Sequence, residues 1–337
     1  MILIQVDIIG GSLSGLSTAI TIKKEDKSIY VVVHERHPVI GYNTDGRRCG
    51  EGYFFEGEWK QWKPIGKSIF NHVNLVETIV DGKSYILQRK PNTAFVLNRQ
   101  AFITQLAKEA EKLEVIIKTN DSVKSVKDLS SDFIVDASGS PSTVRKELNL
   151  RKGIIGMTYQ QSLEDCSHFV SNRMQIYLTA DSGYYWIFPR NPEKKEVNLG
   201  IGMVIRKQRN LKTQLEQFKK TYQITGTINY ETGGCIPAGI QKPLVYKNIL
   251  FVGDSGVGTF PLTGEGIYRA LLSGEFAGRC IAQNDVKRYP KLINDSFLKW
   301  DIAGKTMLRV NDVMSNISDN AVFFIWKRYL DWWYSFN

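Results

Sequence analysis

Histidine and cysteine are scarce, four of each in 337 residues, and neither is clustered. Cys49, Cys166, Cys235 and Cys280 include no CxxC pair, and His34, His37, His72 and His168 lack metal-ligand spacing. That pattern excludes a zinc framework and a redox dithiol, so no structural metal is expected. No run of about 18 uncharged apolar residues occurs, which argues against a membrane-spanning helix. The opening MILIQVDIIGG has no basic n-region and no small-residue cleavage site, so the expectation is a cytoplasmic protein, with or without peripheral contact to a membrane surface. Internal repeats and low-complexity linkers are also missing. What is present is globular in composition, 42% hydrophobic and 23% charged, in a chain long enough for one large or two ordinary domains. The net charge is +10, but the basic residues are dispersed and the densest run, Arg206 to Lys212, is short. A solvated basic face is the plain reading and attraction to an anionic lipid surface or ligand the next; nucleic acid is not an expected partner.

The apolar, β-branched run before Gly10 suits a strand buried on both faces. Helical periodicity follows from Leu13 through Leu16 and Ile20, and Ile29 to Val33 reads as a second buried strand. Strand, helix and strand in so short a span make a βαβ unit with a parallel sheet. From Tyr53 to Phe95 the pattern changes to short aromatic-rich strands. A helix returns where Phe102, Leu106 and Ala110 share a face, and a second strand-rich stretch runs from about Gly153 to Tyr246. The strand KNILFVGDSG then feeds a glycine-punctuated helix. The expected fold class is α/β: a discontinuous Rossmann-like domain of residues 1–52, 96–150 and 245–283, an inserted antiparallel β-sheet substrate domain of residues 53–95 and 151–244, and a C-terminal helical segment of residues 284–337.

The first strand-to-helix turn, Gly10-Gly11-Ser12-Leu13-Ser14-Gly15, departs from GxGxxG at Ser12. Such a turn lets the backbone approach a pyrophosphate, which the helix N-terminus then holds with free N–H groups. Glu35 ends the second strand twenty residues after Gly15, where a carboxylate can accept ribose hydroxyls. The turn alone does not separate a nicotinamide from a flavin. Downstream, a strand delivers Gly253 and Asp254 into a loop that continues through Pro261, Gly264, Glu265, Gly266 and Ile267. Asp254 can hold a ribityl hydroxyl, and the following helix N-terminus suits the edge of an isoalloxazine where negative charge develops.

The turn with Glu35, Arg99 opening its helix, DFIVDASGSPSTVR and GDSGVGTFPLTGEGI together resemble the hydroxybenzoate-hydroxylase-like FAD superfamily over most of residues 2 to 282. Within it, Arg48-Cys49-Gly50-Glu51-Gly52 resembles the cysteine-bearing loop of geranylgeranyl reductases, and Tyr184-Tyr185-Trp186-Ile187-Phe188-Pro189 is similar to their YxWxFP signature. The resemblance implies bound FAD, with cofactor contacts at Gly10, Gly11, Ser12, Ser14, Gly15, Glu35, Arg36, Arg48, Cys49, Gly50, Arg99, Ser138, Gly139, Gly253, Asp254 and the 261–267 loop. It also implies reduction of isolated double bonds in isoprenoid chains, with NAD(P)H or a ferredoxin-like donor as reductant. Ser12 and Ser255 depart from the family pattern, both as small residues that preserve their turns. About 55 residues follow the flavin helix, so the family's C-terminal substrate-covering region is expected to be reduced.

An unactivated alkene needs a hydride on one carbon and a proton on the other. Cys49 is the candidate donor, with a small buried hydrophobe as its alternative role; Glu51 either holds that loop, relays a proton or lies on the surface. Strand alternation puts Tyr184, Trp186 and Phe188 on one face, an apolar wall for a prenyl chain or an ordinary core face. Two other functions use the same scaffold: an aromatic or polyprenyl-quinone monooxygenase, and a non-catalytic electron relay. The last 17 residues carry eight of the 38 aromatics and read as an amphipathic helix with Trp332 on its apolar side and Phe324 on its polar side. That helix either packs on the protein or lies on a membrane interface.

Overall fold

The computed structural model describes residues 4–41, 50–54, 62–151, 153–180, 183–204 and 210–334. In chain order the elements are β1 (Gln5–Ile9), α1 (Leu13–Glu25), β2 (Tyr30–His34), β3 (Gly52–Phe54), β4 (Ile69–His72), β5 (Leu75–Val80), β6 (Lys83–Gln88), β7 (Ala94–Leu97), α2 (Arg99–Lys112), β8 (Ile116–Lys118), β9 (Phe133–Asp136), α3 (Thr143–Glu147), β10 (Ile155–Glu164), β11 (Arg173–Leu178), β12 (Gly183–Asn191), β13 (Glu196–Val204), α4 (Leu211–Thr221), β14 (Thr227–Pro237), β15 (Val245–Tyr246), β16 (Ile249–Phe251), α5 (Ile267–Ala282), α6 (Tyr289–Met314) and α7 (Asp319–Tyr334). They divide into two units, one of Met1–Gly46, Arg99–Ile155 and Cys235–Ala303, the other of Arg47–Asn98, Gly156–Gly234 and Gly304–Asn337.

The first unit is built on a six-stranded sheet, β15-β16-β9-β1-β2-β8. Its β1, β2, β8, β9 and β16 pair in parallel, with β15 added antiparallel at the edge. Val6, Ile8, Val33 and Leu250 are fully buried, as continuous β-branched and leucine runs demand when helices cover both faces. The parallel order brings the C-terminal ends of β1, β2, β9 and β16 to one edge of the sheet, where ligands bind in folds of this class. Helix α5 lies along α1, with Gly274 and Gly278 against Ser17 and Thr21.

The second unit holds a seven-stranded sheet, β14-β10-β13-β12-β11-β5-β6, and a three-stranded one, β3-β7-β4. One face of the large sheet carries Tyr177, Ile187, Leu199 and Ile201, covered by Leu211, Leu215 and Phe218 of α4. That helix lies where a short basic run gave no helical expectation. Asn210 caps it by accepting from the Thr213 amide at 3.1 Å, and the apolar side chains recur at i, i+4 and i+7. The expected antiparallel sheet has one parallel pair, β5 with β11. These strands come from separate insertions, so no hairpin fixes their relative direction.

Helix α7 packs over β5 and β6 through Val322, Trp326 and Leu330, all under 9% exposed, with Tyr85 Oη donating to the Lys327 carbonyl at 3.3 Å. Trp332 is 57% exposed, in contrast to its expected place on the apolar side. Six residues at 100° each turn it about 120° from Trp326, off the buried stripe. Phe324, expected on the polar side, is also 57% exposed.

Candidate active site

In the first unit the glycine-rich turn closes directly on the end of β9. A Cβ on Gly10 would stand 2.6 Å from the Ala137 carbonyl oxygen, and its φ of +108° lies in the region only glycine occupies freely. Ser12 is the N-cap of α1, accepting from the Gly15 amide at 3.4 Å and donating to the Ala137 carbonyl at 3.2 Å. Its hydroxyl therefore ties the turn to β9, a role glycine in the usual motif cannot supply. Ser14 lies against Gly253 at the end of β16. Glu35 is 9% exposed, and each carboxylate oxygen already accepts one backbone amide, Gly11 to Oε2 and His37 to Oε1, both at 2.9 Å. Further lone pairs on each oxygen remain for ribose hydroxyls.

Asp254 is half-buried in the loop after β16, and burial raises its carboxyl pKa more than the nearby Arg99 and Arg269 lower it. Among the described residues no hydrogen bond to that carboxylate is formed. Arg99 likewise has a buried Nε with no partner among the described residues. A carboxylate acceptor and a guanidinium donor left open beside a tight glycine turn fit a dinucleotide carrying ribityl hydroxyls and phosphates. The 261–267 loop closes on itself, Phe260 N donating to the Glu265 carbonyl and Gly264 N to the Phe260 carbonyl, both at 2.9 Å. It ends at Gly266, the N-cap of α5, beside Asp254. Arg36, next to Glu35 in the chain, is exposed, and its Nε donates to His37 Nε2 at 3.1 Å.

Two residues that sequence reasoning missed hold the cradle from below. Asp136, fully buried, accepts from the Ser138 amide and from the Ser138 and Ser142 hydroxyls at 2.6 to 3.0 Å, and burial raises its pKa. Arg145 donates to the carbonyls of Lys242, Pro243 and Ser255 at 2.6, 3.1 and 3.2 Å, fastening the chain on either side of β16. Their signal lay in the quoted strand-loop, read only as a resemblance. Gly139, at φ +86°, lies between them in that loop.

In the second unit Tyr184, Trp186 and Phe188 do share one face, while Tyr185 stacks on Phe218 and Ile187 enters the opposite core. The three rings run along β12 at centroid spacings of 5.6 and 6.4 Å. Their floor is β13: Gly200 pairs with Trp186 and Gly202 with Tyr184, and a Cβ at Gly200 would overlap the Trp186 ring. The tryptophan lies across the neighbouring strand because that strand has no side chain there. Its indole N–H is satisfied by Gln160 Oε1 at 3.3 Å. Gly50 reaches this wall, its Cβ position 3.3 Å from both Trp186 and Phe188. Arg48 and Cys49 lie outside the described residues. Glu51, 4% exposed, is no surface carboxylate; its Oε2 accepts from Arg190 Nε at 2.8 Å and Asn198 Nδ2 at 3.0 Å. Among the described residues no His, Cys, Asp and Glu cluster could hold a metal.

Residues 155–234, spanning β10 to β14, match the geranylgeranyl reductase catalytic domain. The chain is 28% identical to a digeranylgeranylglycerophospholipid reductase of Methanocella arvoryzae, over 93% of this chain and 86% of that protein. A geranylgeranyl bacteriochlorophyll reductase-like protein from Thermoplasma acidophilum has the same fold, with a TM-score of 0.80 at 22% identity, covering 95% of this chain and 92% of that one. A flavin-dependent brominase, Bmp2, is similar at a TM-score of 0.68 and 16% identity over 95% and 88% of the two chains. The scaffold is thus one that FAD-dependent proteins share, and the matched catalytic domain is the part that contains the aromatic wall and its glycine floor. On these grounds the chain is similar to geranylgeranyl reductases in its catalytic segment, on a fold it shares with flavin-dependent proteins.

Proposed function

We propose that this protein is an FAD-dependent reductase that saturates isolated double bonds of geranylgeranyl-type chains in lipids. The observation that carries the reading is the wall of Tyr184, Trp186 and Phe188 laid on Gly200 and Gly202, within the segment that matches the reductase catalytic domain. A prenyl chain has nothing to hydrogen-bond, and at the middle of this surface the Trp186 indole N–H is already paired with Gln160. The first unit would hold FAD through the Gly10 to Gly15 turn, Glu35, Arg99 and Asp254, and the flavin when bound supplies hydride-transfer chemistry. Arg99 Nε would donate to a phosphate or ribityl oxygen, and Asp254 would accept a ribityl hydroxyl. Cys49, next to Gly50 in the chain, would give the proton to the second carbon.

Electrons would come from NAD(P)H or a ferredoxin-like protein, and the exposed Phe324 and Trp332 would rest against a membrane surface. The test is anaerobic incubation of chemically reduced protein with a digeranylgeranyl lipid, the product read by mass spectrometry. Saturated lipid is expected, formed about 10²-fold more slowly by Cys49→Ser with FAD still bound. Hydroxylated product that appears only with oxygen would overturn this reading in favour of a monooxygenase, and no product at all in favour of an electron relay.

A further inference from the structure

Glu51 has a φ of +63°, the left-handed region, although Gly50 and Gly52 stand on either side of it. An L side chain there costs about 1–2 kcal/mol that glycine would not incur. What Glu51 adds is a buried carboxylate, and two of its partners stand on the strands of the wall. Arg190 follows Pro189 on β12, and Asn198 stands opposite Phe188 in the register of β13, two residues before Gly200. The Asn198 amide that bonds Glu51 also donates to the Gly50 carbonyl at 3.2 Å, while its Oδ1 accepts from Ser162 at 3.0 Å. Arg190 is braced in turn, Nη1 donating to Glu196 at 2.8 Å and its guanidinium lying 3.9 Å from the Phe70 ring centroid. From the other side, the Glu51 carbonyl accepts from the Leu97 amide at 2.8 Å.

Burying two carboxylates around one guanidinium adds little net stability over an apolar core of the same shape. Backbone strain at the same point is an added cost, and such costs collect where geometry serves function. We propose that Glu51 and Arg190 form a positioning pair that locks the Gly50 and Glu51 turn to the aromatic strand. On the reading of the reaction above, the turn that this pair locks beside Trp186 and Phe188 begins at Gly50, the residue that follows Cys49 in the sequence.

The experiment uses the full chain with FAD bound and compares Glu51→Gln, Arg190→Lys and the double variant. Alkylation of Cys49 by iodoacetamide, followed by peptide mass spectrometry, reports the turn without any lipid. Anaerobic saturation of a digeranylgeranyl lipid reports the reaction. Expected are full FAD content, an alkylation rate changed at least about threefold, and kcat lowered about tenfold with KM within about twofold. The double variant should lose no more than the worse single one, because both break the same link. Multiplying losses, or alkylation and kcat unchanged in Glu51→Gln, would overturn the pair. So would loss of folding or of FAD in Glu51→Gln, which would make the role purely structural. A wild-type protein that saturates no lipid, with Cys49 alkylation still altered by both variants, would sink the reductase reading and leave the lock standing.

Discussion

His34, the residue before Glu35, is held between two carboxylates, Nε2 at 2.9 Å from Asp7 and Nδ1 at 2.8 Å from Asp121. The hydrogen bond to Asp7 raises its pKa, burial lowers it, and Asp121 raises it again, with a net increase. Burial pushes Asp7 up, but its hydrogen bonds with His34 and Ser131 outweigh that and hold it below the usual carboxylate range. The raised imidazole contributes stability in full below its ordinary pKa near 6.5, and the contribution is lost as pH rises through the folded-state value. The depressed Asp7 contributes in full above its ordinary pKa near 3.9 and is lost as pH falls through its folded-state value. Both contributions are complete between about pH 4 and 6.5. Thermal melts from pH 5 to 9 should therefore show stability declining on the alkaline side in the wild type. His34→Gln should flatten that decline and cost about 1–3 kcal/mol at pH 6, because Asp7, 4% exposed, loses its partner. Parallel profiles for the two proteins would refute the assignment.

Among the elements, α7 shows how one helix divides its aromatics between packing and surface. Val322, Trp326 and Leu330 recur every four residues and face β5 and β6, whereas Phe324, Arg328 and Trp332 recur at the same interval on the opposite side. The buried stripe binds the helix to its own sheet, and the exchanged pairs of Lys83 with Asp331 and Lys327 with Asp81 sit at its solvent-accessible margin. Trp326→Ala should destabilise the protein by about 3–5 kcal/mol, as large-to-small core changes do. Phe324→Ala should stay within about 0.5 kcal/mol. Denaturant melts of the two variants distinguish them, and equal losses would mean that the outer stripe is also packed.

Over the whole molecule, a net charge of +10 and a pI of about 9.2 favour approach to an anionic surface whatever the local fold does. No helix among the described residues is long and apolar enough to cross a membrane. If the proposed lipid contact combines charge with the outer face of α7, binding to anionic vesicles should fall as salt rises from about 0.05 to 0.5 M, since the Debye length shortens severalfold. A double change of Phe324 and Trp332 to Ser should then remove the salt-resistant remainder in a sedimentation assay. Salt-independent binding unaffected by that change would place the contact elsewhere.

Local chemistry was enough to read the βαβ start, the glycine turn, Glu35 and the alternation in β12, because each depends on neighbours within a few residues or on period two along one strand. Helix α4 was lost because its capping Asn210 and its Leu211, Leu215 and Phe218 stripe follow directly on a basic run, which dominated the local pattern. The direction of β5 against β11 was not legible, since the two strands are 92 residues apart between their last and first residues and no turn connects them. Glu51 could be a loop anchor, a relay or a surface carboxylate in sequence; only packing brought Arg190 and Asn198 from β12 and β13 to meet it. The glycines at 200 and 202 carried no meaning until register set them under Trp186 and Tyr184. Apart from α4, sequence by itself determined which segments become strands and helices, because those follow from short-range sterics and hydrophobic period. Tertiary structure decided which distant side chains share a buried volume, since burial and charge pairing depend on strand register that no local segment encodes.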